Sequence, residues 1–261
     1  MFFAGLGFSF MFIPCVVIVG EYFDDKRRAY AIPLSVSGVG VFCLFIPPLL
    51  RCLIGHFGWR GCLLLSAGIA LQGAIFAALF TPLPKPAKDL SADSSAEAKT
   101  GILCETGPLK NLIFWLFFMN NVLWNAGSLI LIVLIVDYAK ESGISKDSGA
   151  LLLASVGICG TVGRLIAAVT ARCVNRLHLY TAATLATGIF IALIPARAVL
   201  TVFILCCCAY GVCFGIQVGL LGVLTADLFG VEILNAAYGY LVVSNGVGAL
   251  LGPPIAGKVF F

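Results

Sequence analysis

Residues 149–171, GALLLASVGICGTVGRLIAAVTA, form an apolar run in which Arg164 is the single charge. An arginine at the depth of a bilayer centre costs about 2.5–3.5 kcal/mol on insertion scales, so it persists only against a polar cavity or a partner. Arg164 is therefore the leading candidate for a group that lines a pathway for a polar solute. The structural alternative is a topology-setting arginine that snorkels to one surface.

Other polar side chains interrupt apolar runs in the same way. Asn120, Asn121, Trp124 and Asn125 lie within residues 112–136, and Asn121 and Asn125, four apart, share a helix face. Amides in lipid need partners, so these point inward, either as glue between helices or as contacts for a solute. Tyr210, Phe214 and Gln217 lie around a stripe of Gly211, Gly215 and Gly219, and Ser244 with Asn245 is placed to line an opposite wall. His56 and His178 fall in expected loops, as solvated histidines rather than a proton relay. There is no cluster with metal-ligand spacing, and no H-E-x-x-H or G-x-S-x-G motif, so neither a metal centre nor an enzyme is expected.

The elements that hold these groups must be membrane helices. At 61% hydrophobic and 11% charged over 261 residues, the chain has more apolar surface than a soluble globule can hide. The eleven cysteines lie mostly in apolar runs, Cys206, Cys207 and Cys208 among them, and read as small packing residues rather than a disulfide framework. A net charge of +4, dispersed along the chain, excludes a nucleic-acid surface. The first twenty residues lack a basic leader and a cleavage motif, so the chain is expected to start inside a span.

A span takes about 20 mostly apolar residues. Eight runs qualify: 2–20, 31–53, 61–80, 112–136, 149–171, 179–194, 199–226 and 237–257. One long polar, Pro- and Ser-containing segment separates three spans from five. Alternating sides puts nine basic residues (Lys26, Arg27, Arg28, Lys85, Lys88, Lys99, Lys110, Arg172 and Arg176) on the face of that segment, against six opposite, which places it in the cytoplasm. The stripe at Gly211, Gly215 and Gly219 and the glycines 157, 160 and 163 mark faces for close helix approach. Pro33, Pro47, Pro48, Pro253 and Pro254 are expected to bend or break their spans.

Four islands carry a resemblance. Glu21-Tyr22-Phe23-Asp24-Asp25-Lys26-Arg27-Arg28-Ala29-Tyr30-Ala31 resembles the YF-x-x-[KR]RR-x-x-A stretch after transmembrane helix 4 of the monocarboxylate transporter family, within the major facilitator superfamily. Gly58-Trp59-Arg60-Gly61 resembles the GWRG that opens its helix 6. Residues 227–239, with Asp227, Glu232 and Tyr238, are similar to its helix 10 to 11 junction, and Leu251-Gly252-Pro253-Pro254-Ile255-Ala256-Gly257 to its GPPIAG motif.

The resemblance implies an all-α, polytopic bundle of the major facilitator type, incomplete, with about eight of twelve transmembrane helices. Residues 1–81 would end an N-terminal half with helices 4–6, 82–110 would be the central cytoplasmic loop, and 111–261 would hold helices 7–11. It implies a transporter of small monocarboxylates in the plasma membrane, working by alternating access, in a family where proton symport and a single-span ancillary glycoprotein are known. It also implies carboxylate binding at Arg164, where the planar guanidinium offers a two-bond match. The family's helix 8 aspartate, four residues earlier, is replaced by Gly160. All other acidic residues fall at span ends or in loops, which weakens the case for proton coupling. Asn121, Asn125, Phe214, Gln217 and Asn245 are the further candidates for the substrate path. Lys26, Arg27, Arg28, Asp227 and Glu232 are candidates for a cytoplasmic gate or a headgroup anchor. The alternative function is a truncated or degenerate paralogue that modulates or scaffolds other proteins without transporting. No cofactor is expected.

Overall fold

The computed structural model describes residues 2–78, 111–141, 146–194, 200–231 and 233–260. The expected central loop, 82–110, and Glu232 lie outside the described residues. The described residues form the helices α1 Phe2–Tyr22, α2 Asp25–Ala78, α3 Leu112–Glu141, α4 Lys146–Thr170, α5 Arg176–Leu193, α6 Leu200–Phe229 and α7 Leu234–Phe260. Among the described residues each expected apolar run falls on a helix, the second and third sharing α2. Six helical stretches among the described residues are long and apolar enough to cross a bilayer, and Phe12–Tyr22 adds a shorter apolar helix. The protein is thus an integral, multi-pass membrane protein with an all-helical fold.

Helix boundaries differ from the sequence reading at three places, each for a local reason. The polar loop expected between the second and third spans shrinks to one residue, Gly58, whose φ of 66° and ψ of 178° break α2. A positive φ is open to glycine because it lacks Cβ. His56 and His178 therefore sit in helices, near the Gly58 break and in the first turn of α5, and both are exposed. The prolines do not end their helices either. α7 runs on through Pro253 and Pro254, and the interior of α2 is non-helical only at Gly58.

The turns are capped by their own sequence. Gly230, at φ 86°, closes α6 with its N–H bonded to the Ala226 carbonyl at 3.0 Å. Asn175 caps α5 through its side-chain oxygen, which accepts from the Leu177 N–H at 3.1 Å.

Packing among the described residues concentrates on α4 and α6, the most extensively packed pair, with α3 against α7, α5 against α6, and α2 against α4 and α6. Glycine makes the α4–α6 contact one of backbone on backbone. A Cβ on Gly215 would overlap the Gly160 carbonyl, one on Gly163 the Val212 carbonyl, and one on Gly211 would lie 2.8 Å from the Val156 oxygen. The α3–α7 seam is built alike, since Cβ atoms on Gly248 and Gly252 would press on the backbone of Val122 and Ala126.

Two apolar clusters result. One gathers Ile32, Phe117, Ala167, Ile216, Leu220, Leu224 and Leu241; the other gathers Leu131, Leu152, Val156, Phe203, Cys207 and Tyr210.

Candidate functional site

Between the two clusters α3 and α4 turn polar or small. On α3, Asn121, Trp124, Asn125 and Ser128 lie between Phe117 and Leu131; on α4, Gly160, Gly163 and Arg164 lie between Val156 and Ala167. On α6, Phe214 and Gly215 separate Tyr210 from Ile216. A polar layer sandwiched by apolar ones is the arrangement that a solute pathway at mid-bilayer requires.

Arg164 sits in that layer with 7% of its surface exposed. The glycine seam fixes its backbone, because a Cβ on Gly215 would come within 3.0 Å of the Arg164 nitrogen. The guanidinium reaches toward α2. A Cβ on Gly40 would lie 2.9 Å from Arg164 Nη1 and would overlap the Thr161 hydroxyl. Gly40 thus leaves the room that the guanidinium occupies. Gly160 does so on the other flank, its Cβ position lying 3.8 Å from Nη1.

The other expected path residues divide into two groups. Asn121 and Gln217 are engaged between helices. Asn121 Nδ2 donates to the Leu241 carbonyl at 3.1 Å and to Ser244 Oγ at 2.8 Å, tying α3 to α7. Gln217 Nε2 donates to Thr184 Oγ1 at 2.7 Å and its Oε1 accepts from Thr187 Oγ1 at 3.1 Å, tying α6 to α5. Asn125, Phe214 and Asn245 form the second group. Phe214 stacks on Trp124 with centroids 5.2 Å apart and on Tyr210 at 5.8 Å. Asn125 Oδ1 and Asn245 Oδ1 are buried without a hydrogen-bond partner among the described residues.

At one end of the bundle the start of α2, the α4–α5 turn and the last turns of α6 converge, around a cavity of about 620 Å³ lined by Asp25, Arg172, Asn175, Arg176 and Asp227 among others. Arg176 Nη1 donates to both Asp227 carboxylate oxygens, at 2.7 and 2.8 Å, and lies 3.5 Å from Asp25 Oδ1. Arg172 stacks on Tyr30 at 4.8 Å. Lys26 and Arg27 are exposed in the first turn of α2, while Arg28 donates to the Gly20 carbonyl at 2.6 Å and approaches Asp25 at 3.7 Å. The basic partner of Asp227 is therefore Arg176 rather than the 26–28 run. The sequence does not single out Arg176 for the gate, although side counting puts it on the face that also carries the 26–28 run.

The family model for the Major Facilitator Superfamily matches residues 1–253. The chain belongs to the major facilitator superfamily. Within it, the chain is similar to proteins named monocarboxylate transporters. It is 31% identical to monocarboxylate transporter 4 of Gallus gallus over 98% of this chain and 55% of that protein. It is 29% identical to monocarboxylate transporter 12 of Mus musculus over 97% and 58%, and 30% identical to monocarboxylate transporter 3 of Rattus norvegicus over 98% and 53%. The chain spans about half the length of the curated relatives it matches.

Proposed function

We propose that the chain moves small monocarboxylates across the plasma membrane by alternating access, with Arg164 as the carboxylate-binding group. The observation that carries this is the position of Arg164: buried, mid-helix, level with an aromatic and amide surface, and flanked by glycines 40 and 160 rather than by bulk. A guanidinium held in a dry, preformed setting recognises a carboxylate through two parallel charge-assisted bonds. Asn125, Phe214 and Asn245 line the path beside it. Asn121 and Gln217 hold the path's walls together through the bonds to α7 and α5.

With glycine at position 160, anion binding is better supported than proton symport, because the residue four before the arginine offers no carboxylate to exchange a proton with substrate binding. Uniport, or coupling to another ion, fits this site. The charged end, which carries Lys26, Arg27, Arg28, Arg172 and Arg176, faces the cytoplasm by the positive-inside rule, and the Asp25–Arg176–Asp227 group closes it.

The deciding experiment is uptake of a panel of labelled acids by cells producing the transporter, with and without a pH gradient, for the native protein and Arg164→Ala. Carboxylate uptake that is lost on substitution supports the assignment. Uptake left intact by Arg164→Ala sinks it.

A further inference from the structure

The face of α2 that meets α4 and α6 loses bulk toward Arg164. Pro33, Ser37 and Gly40 recur at i, i+4 and i+7, so they share that face, and all three are buried. Pro33 Cβ lies 3.3 Å from the Cβ position of Gly219 on α6. At Gly40 the side chain vanishes. A Cβ there would lie 2.9 Å from Arg164 Nη1 and 3.0 Å from Thr161 Cβ, and would overlap Thr161 Oγ1. Gly38, two residues earlier, has nothing within 4 Å of its Cβ position, so the close approach is particular to position 40. Just beyond it Val41, Phe42 and Phe45 are exposed.

The neighbouring hydroxyls are spent within their own helices. Ser37 Oγ donates to the Leu34 carbonyl at 2.6 Å, and Thr161 Oγ1 donates to the Gly157 carbonyl at 3.1 Å. The guanidinium of Arg164 is the group that reaches across from α4 to α2. Its backbone end is fixed by the glycine seam with α6, and its tip is bounded by the main chain at Gly40. A long side chain confined at both ends has few rotamers left, and a fork already aimed before binding keeps its two-bond match to a carboxylate.

We infer that Gly40 is a positioning residue for Arg164: the missing Cβ on α2 fixes where the fork lies, so carboxylate affinity depends on a residue that offers the substrate no side chain. This deepens the assignment of Arg164 as the carboxylate site and rests on it. Nη1 is the far end of a flexible side chain, so a Cβ at position 40 displaces the fork more readily than it separates the helices. The stiffer obstacle is β-branched Thr161.

The test is the concentration dependence of uptake in proteoliposomes, with whichever of labelled lactate, butyrate and phenylacetate the native protein takes up fastest. Gly40→Ala should raise KM by about tenfold, the size of one lost charge-assisted bond, and leave the maximal rate per folded protein within about twofold. Combining it with Thr161→Ala removes the hydroxyl overlap but keeps the pressure on Nη1. That double variant should raise KM alike, and it carries the test if Gly40→Ala alone fails to fold. Gly38→Ala should keep the native KM. In an Arg164→Lys background, which lacks Nη1, adding Gly40→Ala should change KM by less than about twofold.

A native KM in the double variant, a loss of maximal rate alone, an equal KM rise in Gly38→Ala or an undiminished rise in the lysine background overturns the proposal. Failure of both Gly40 variants to fold makes Gly40 a packing residue and overturns it too. Arg164→Gln separates the two assignments: uptake lost in that variant, with native KM in the double variant, fails the positioning role alone. Uptake that survives Arg164→Gln fails the carboxylate site and the positioning role with it, and no uptake of any of the acids by the native protein overturns both.

Discussion

The Cβ position of Gly160 lies 3.8 Å from Arg164 Nη1, and its nearest other neighbour, the Gly211 carbonyl oxygen, is at 3.6 Å, an ordinary van der Waals distance. A larger residue therefore fits at 160, and an aspartate there would place its carboxylate against the guanidinium. Gly160→Asp should weaken substrate binding by about tenfold near neutral pH, since the new carboxylate competes for the same charge. Protonation of that aspartate on acidification would release Arg164. Uptake by the variant should accordingly rise more steeply on acidification than uptake by the native protein. Rates measured across a pH series check this.

Substituting the arginine itself separates charge from shape. Arg164→Lys keeps the charge and loses the two-bond fork, whereas Arg164→Gln loses both. Apparent affinity should fall by about tenfold for lysine and about a hundredfold for glutamine, on the scale of one and two charge-assisted bonds. Concentration dependence of uptake in proteoliposomes gives both values.

The glycine seam makes a stability prediction with its own control. A Cβ at Gly215 overlaps the Gly160 carbonyl, while one at Gly157 meets nothing within 4 Å. Gly215→Ala should destabilise the protein by about 1–3 kcal/mol through forced separation of α4 and α6. Gly157→Ala should be neutral or slightly stabilising, since alanine favours helix. Thermal unfolding of the two variants in detergent compares them directly.

The Arg176–Asp227 pair lies at a solvated end, so its net contribution to stability is at most about 1 kcal/mol. Its effect should be on kinetics. Asp227→Lys should leave membrane insertion and melting nearly unchanged while altering the transport rate several-fold, and the swap Arg176→Asp with Asp227→Arg should recover much of the native rate. Exchange and net-flux assays on the two variants test that.

Gln217→Leu distinguishes a clasp from a substrate contact. Hydrogen bonds between membrane helices contribute about 0.6 kcal/mol on average, so melting should shift slightly. Thr187 keeps its bond to the Ala183 carbonyl at 2.7 Å, which limits the loss. A clasp predicts a stability change with little effect on substrate affinity; a large affinity loss would make Gln217 a ligand.

How much of this was readable in the linear sequence depended on the range of the interaction. The apolar runs and the inward-facing arginine follow from local composition, because lipid allows few other solutions for such segments. Counting alternate sides was enough to bring 25, 176 and 227 to one face. The partner of Asp227 was not readable, since Arg176 stands 51 residues away and the nearer run at 26–28 competes for the same role. The engagement of Gln217 by Thr184 and Thr187 was hidden likewise, as they stand 33 and 30 residues away. Gly58 was seen as part of a loop, and its single positive φ shows how little chain is needed to interrupt a helix.

Where α4 and α6 touch through main chain alone, there are no rotamers to rearrange, and the two helices must travel as one body. Arg164 is then a fixed post relative to α6. Side chains do intervene where α2 meets that body, with Pro33 beside Gly219, Ile32 beside Gly222 and Thr161 beside Gly40. In the alternating-access cycle proposed above, exposure of the arginine first to one side of the membrane and then to the other would follow from α2 sweeping past a stationary charge.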